Sequence, residues 1–168
     1  MSEEGSGVDR VWALIDAVKI AMVVTHEGPR DELRARPMAA HPVREDNAIY
    51  FLTDADSGKV GEIKENSSVC LAFADTKTQN YVSVTGRARL SNDRARIKQF
   101  WSITDKAFWK DENDPAIRLL RVEPHEAEYW QGSAALVTYV KMIVARLTDR
   151  KPNLHGNEKV ALPGPRVA

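Results

Sequence analysis

The chain has 168 residues, enough for one domain with a substantial core. Lys+Arg and Asp+Glu balance at 24 each, so no basic excess points to nucleic acid or to an anionic membrane, and no apolar run has the length of a bilayer span. The acidic, polar start MSEEGSG lacks the basic-then-apolar order of a signal peptide, and the one cysteine, Cys70, has no internal disulfide partner, which together predict a cytoplasmic protein with a buried structural thiol.

Val8, Val11, Trp12, Ile15 and Val18 recur at helical spacing and predict an amphipathic opening helix, with Ser6 and Asp9 as a capping pair. Residues 20–25, IAMVVT, read as a short and nearly all-apolar strand, ended by the turn-forming HEGPRDE segment. Residues 33–43 form a second extended segment. Its Pro37 lacks a backbone donor, which places that point at a sheet edge, a bulge or a ligand-facing position.

A charged turn at 44–47 leads into a strand over 48–53, and a helix over 59–65 follows, stopped at Asn66. The helix opens on Ser57-Gly58-Lys59. Free backbone N–H groups, the positive end of a helix dipole, a hydroxyl, a glycine that allows close approach and an ammonium meet there. Those are the parts of a phosphate cradle; the plainer alternative is an ordinary N-cap beside a solvated lysine.

Val69, Leu71 and Phe73 alternate with Cys70, Ala72 and Ala74, a strand apolar on both faces that suits a barrel wall covered outside by a helix or a second subunit. Residues 81–90 begin with strict alternation, and Gly86 marks a bend. Ser91 or Asn92 caps a helix through Ile97, Phe100 and Trp101, and a polar, aromatic-bearing loop runs on to Asp114-Pro115. Strands over 117–122 and 126–130 are split by Pro124; residues 134–147 read as an apolar helix and 151–168 as an extended tail. Six or seven short, mostly antiparallel strands with helices between and after them give an α+β single domain with a small barrel. Its core spans about 8–130, with a C-terminal helix and tail over 131–168.

Other chemistries find no support. Strict βα alternation and a G-x-G-x-x-G are missing, against a dinucleotide-binding fold. A P-loop fails at Thr53, which should be glycine, and at Val60, which should carry a hydroxyl. His26, His41, His125 and His155 are scattered, so no metal site is expected. Asp54, Asp56, Asp111 and Glu112 read as solvated turns, and Phe108, Trp109, Tyr129 and Trp130 as core and interface packing.

Taken in order, Arg36-Pro37-Met38, Phe51-Leu52-Thr53, Ser57-x-Lys59, the Gly86 strand, the Asp93 helix ending in Trp101 and the segment RVEPHEAEYW resemble one family. It is the bacterial general stress protein branch of the pyridoxamine 5′-phosphate oxidase-like, FMN-binding split barrels. The resemblance covers roughly residues 8–130 and implies a six-stranded antiparallel split barrel that dimerises, with two FMN sites at the subunit interface. It implies that Arg36 reaches the ribityl-phosphate side of the flavin and that the backbone at Pro37 and Met38 lies along the isoalloxazine edge. Thr53 would touch the flavin chain, Ser57, Gly58 and Lys59 would take the phosphate, and Trp101 would form a partner-side wall.

The chain departs from the oxidases where they carry a lysine, here His41, and a second cation, here Gly58. It also lacks the histidine of their substrate motif, having Thr148 in Arg146-Leu147-Thr148-Asp149-Arg150. The expectation is therefore an FMN-dependent oxidoreductase of unknown substrate that does not oxidise pyridoxamine phosphate. The alternatives are a flavin storage or sensing module and, third, a related barrel holding deazaflavin or haem.

Overall fold

A computed structural model describes residues 3–28, 32–132 and 155–162, which form three α-helices and one eight-stranded antiparallel sheet. The opening helix α1 (Glu3–Val18) buries Val11, Trp12 and Ile15 of the stripe that the apolar spacing marks out, with Val8 and Val18 partly buried and Leu14 joining them. It starts upstream of Ser6, so that residue does not cap it, and Asp9 instead pairs with Arg44.

Strand β1 (Ile20–Glu27) pairs along its full length with β2 (Glu32–Ala39), which lies at the sheet edge; Pro37 therefore costs no ladder bond on its free side. The chain bends at Ala40 and continues as β3 (His41–Val43) at the opposite edge, against β4 (Ala48–Asp54). One extended segment thus serves both ends of the strand order β2-β1-β5-β6-β7-β4-β3, and the sheet curls into a barrel that stays open. Helix α2 (Gly58–Glu65) leaves the end of β4 and packs on β1, followed by β5 (Ser68–Asp75) and β6 (Asn80–Ser91).

Inward side chains of these strands, among them Val23, Phe51, Leu71, Phe73, Val84 and Leu120, fill the barrel against α1. A second cluster lies on the outer side of β4. There Tyr50 and Leu119 meet Ile97 and Phe100 of α3 (Arg94–Phe100), with Trp101 and Trp109 beside them. Asp93 is the N-cap of α3, accepting from Arg96 N at 3.1 Å, rather than Ser91 or Asn92. A carboxylate at the N-cap answers the helix dipole better than a neutral hydroxyl or amide does.

Two expectations change in the second half. Pro124 does not split the last strands: β7 (Ile117–Gly132) runs through it, because the register with β6 shifts between Thr85 and Gly86 and Pro124 falls opposite Gly86. The tail is not merely extended, since β8 (His155–Ala161) pairs with β7 and buries Val160 in the main core. The sheet therefore has eight strands, slightly more than six and consistent with the expected antiparallel split barrel. The apolar segment 134–147 lies outside the described residues. No described helix is long and apolar enough to cross a membrane.

Candidate functional site

Strand β4 ends at Asp54, where a tight turn brings Ser57 N to Asp54 O at 3.2 Å and starts α2 at Gly58. Ser57 holds the N-cap position with extended backbone, yet its hydroxyl makes no bond to the helix amides. It faces sideways instead. Lys59 Nζ donates to Thr53 Oγ1 at 3.0 Å and to Ser57 Oγ at 3.2 Å, and the two hydroxyl oxygens lie 3.3 Å apart. Burial first, and the Arg36 guanidinium second, hold the Lys59 ammonium below its ordinary titration range, with Glu62 and Asp54 pulling the other way. Among the described residues no carboxylate comes within ion-pair distance of it.

A Cβ built on Gly58 would meet only Glu62 Oε1 at 3.5 Å and Arg36 Nη2 at 4.0 Å, so the first turn of α2 can be approached closely. The three residues Thr53, Ser57 and Lys59 thus form one polar cluster. Thr53 and Lys59 border a cavity of about 350 Å³ that continues along Pro37, Met38 and Leu52 towards Phe108 and Trp109. An apolar slot with a cationic, hydroxyl-bearing end suits a planar aromatic ligand carrying a phosphate.

Arg36 does not border that cavity. Its guanidinium forks onto the Glu62 carboxylate at 2.6 and 2.8 Å and donates to Thr25 Oγ1 at 2.9 Å. Trp101 packs behind Trp109, their rings 6.3 Å apart, and lines the second cluster rather than the cavity of its own subunit. The structure therefore brings Pro37, Met38, Thr53 and Lys59 to one cavity, puts Ser57 and Gly58 at its polar end, and leaves Arg36 behind that end and Trp101 outside it.

Several neighbours were not legible as site residues. Phe108, 77 % exposed, and Trp109 form the cavity's outer wall, where their clustering with other aromatics suggests packing. His41, which the resemblance aligns with the oxidases' lysine and so puts near the ligand, does border the cavity, stacked on Phe100 at 4.8 Å, and burial lowers its pKa against an opposing pull from Asp105. The two cavity carboxylates already have partners: Asp54 accepts from Asp56 N and Trp109 Nε1, and Asp105 from Ser102 N and Oγ.

The family model described as "Pyridoxamine 5'-phosphate oxidase like" matches residues 6–153. Protein bli-3 of Neurospora crassa is 24% identical over 144 residues, covering 80% of this chain and 69% of its own. Among solved structures, one from Jannaschia sp. CCS1 assigned to general stress protein 26 superimposes with a TM-score of 0.72 at 20% identity, covering 94% of this chain and 99% of that one. The general stress FMN/FAD binding protein of Xanthomonas citri gives a TM-score of 0.67 at 21% identity, over 78% and 92% of the two chains. At such identities the structural likeness speaks for the split-barrel fold.

Proposed function

Because the chain belongs to the pyridoxamine 5′-phosphate oxidase-like family, we propose that it is an FMN-binding flavoprotein, a homodimer with one flavin cavity per subunit. The observation that carries the proposal is the end of the cavity at Lys59, a half-buried ammonium that donates to two hydroxyls and, among the described residues, has no carboxylate at ion-pair distance, beside the start of α2 at Gly58. An ordinary cap with a solvated lysine would bond Ser57 Oγ to the helix and leave Lys59 in water. Neither holds. A structural neighbour is itself described as FMN/FAD binding.

In this assignment Ser57, Gly58 and Lys59 hold the phosphate, Thr53 meets the ribityl chain, and the backbone at Pro37 and Met38 borders the ring. Arg36 flanks the phosphate side from behind, and Trp101 of the partner subunit closes the far wall. Bound flavin supplies reversible electron transfer, and the chain supplies position, polarity and exclusion of water. We assign the protein to FMN-dependent redox chemistry on an unidentified substrate. One observation favours a second possibility, a flavin store or sensor: both cavity carboxylates are occupied in local structure, which leaves no free carboxylate for proton transfer among the described lining residues.

The absorption spectrum of the protein as purified, or after addition of FMN, tests the first step. Flavin bands and quenched flavin fluorescence are expected; a Soret band or a deazaflavin spectrum would contradict the assignment. Anaerobic reduction followed by candidate acceptors separates enzyme from store, since only an enzyme exceeds the rate of free FMN.

A further inference from the structure

Beneath the first turn of α2 lies a partly buried ion pair outside the cavity lining. Arg36, on the edge strand β2, is 23% exposed at its side chain, and Glu62 only 8%. The guanidinium and carboxylate meet as a two-bonded fork, and Thr25 Oγ1 adds a 2.5 Å bond to Glu62 Oε2. The position of a Cβ on Gly58 lies within 4.0 Å of both charged groups, so the pair sits against the helix opening assigned to phosphate. Lys59 feels both members, Arg36 lowering and Glu62 raising its proton affinity.

A partly buried pair of this kind brings little net stability over well-packed apolar residues, because Glu62 gives up most of its hydration and Arg36 part of it. Its effect on an adjacent anion is direct. Without Glu62 a phosphate would face two cations, Lys59 and Arg36; with it, Arg36 is matched and only Lys59 is unmatched. We propose that Glu62 is the specificity-determining residue of the cradle: by holding and neutralising Arg36 under α2, it sets how strongly the site prefers a phosphorylated ligand to its dephosphorylated form. The inference rests on the phosphate-cradle assignment above.

The test compares dissociation constants for FMN and riboflavin in the full-length protein and in Glu62→Gln, Arg36→Met and the double variant, by flavin fluorescence at one fixed salt concentration. The riboflavin-to-FMN ratio cancels any loss common to both ligands, so a merely structural role does not move it. Glu62→Gln keeps an acceptor for Arg36 but removes the charge, and should raise the ratio about 3- to 30-fold. Arg36→Met leaves Glu62 unmatched and should lower it. The double variant removes both charges, retains a packed neutral site, and should return to within about threefold of the unmodified protein. If Arg36→Met does not fold, the other two variants still decide.

A ratio unchanged in Glu62→Gln would overturn the proposal. So would a double variant as unselective as Lys59→Ala, since Arg36 would then grip the phosphate itself. Should no flavin bind at all, the proposed function fails, and thermal melting in inorganic phosphate takes over. Greater stabilisation of Glu62→Gln than of the unmodified protein would then support the role of Glu62, and equal stabilisation would overturn it.

Discussion

At the start of α2, Ser57 occupies the N-cap position but directs its hydroxyl to Lys59 and Thr53. Removing an ordinary serine cap costs about 1 kcal/mol of stability. Ser57→Ala should cost much less than that in denaturant unfolding, while FMN affinity falls several-fold; the reverse outcome would make Ser57 a plain cap. Gly86 makes the opposite kind of demand. A Cβ there would lie 2.5 Å from the carbonyl oxygen of Glu123, which belongs to the facing strand and cannot swing aside. Gly86→Ala should therefore destabilise by about 1–3 kcal/mol, read as a lower unfolding midpoint with unchanged slope. Gly86 is marked as a bend by its place inside an alternating strand, whereas Ser57-Gly58-Lys59 at a strand–helix junction is locally also compatible with an ordinary cap beside a solvated lysine, and the order of the other motifs favours the cradle. Glu62 is silent by comparison, because an acidic residue on a short helix normally faces water. Its burial depends on Arg36 and Thr25 arriving from two strands some tens of residues away.

Helix α2 is tied to β1 and β2 by the Thr25–Glu62–Arg36 network. The bond from Arg36 holds the Glu62 carboxyl below its ordinary value of 4.5, burial opposing and Thr25 assisting. Since the folded state lowers this pKa, the network's stabilisation is complete above pH 4.5 and is lost as pH falls through the depressed folded value. Urea unfolding in steps from pH 7 to pH 3 should show a decline below about pH 4.5 that is smaller in Arg36→Met/Glu62→Gln. The elements themselves are visible in their apolar periods. What the local pattern misses is cooperation between elements. The β6 register shift lets β7 carry Pro124, and polar-looking β8 is a strand only because β7 offers it an edge. Ending the chain at residue 154 would remove Val160 from the core and uncover β7, and should lower the melting temperature by several degrees or abolish soluble expression.

On the whole molecule, the outer face of β1, β2 and β5 is apolar, and among the described residues none covers it. Met22, 39% exposed, lies opposite Pro37 on one side and Ala72 on the other, with Ile20 and Leu33 exposed on the same sheet. The two-faced pattern around Ala72 and Ala74 foretells that surface, and a second copy of the chain is its proposed cover. Light scattering should give twice the 18.8 kDa chain mass. Met22→Lys, which points out of the barrel, should shift that mass towards the monomer and weaken flavin retention if Trp101 of the partner subunit closes the site; a monomeric unmodified protein would remove that wall.

The phosphate is the only group that separates FMN from riboflavin, so their affinity ratio reads the cradle and little else. With one or two charge-assisted bonds of about 1.5–3 kcal/mol each, weakened by partial exposure, FMN should bind roughly 10- to 1,000-fold more tightly than riboflavin. Lys59→Ala should abolish most of that difference and leave riboflavin affinity nearly unchanged. Titrating both flavins into the unmodified protein and Lys59→Ala is the most direct test. Equal affinities in the unmodified protein, or a preference that survives loss of Lys59, would contradict the assignment of this helix start to the cofactor's phosphate.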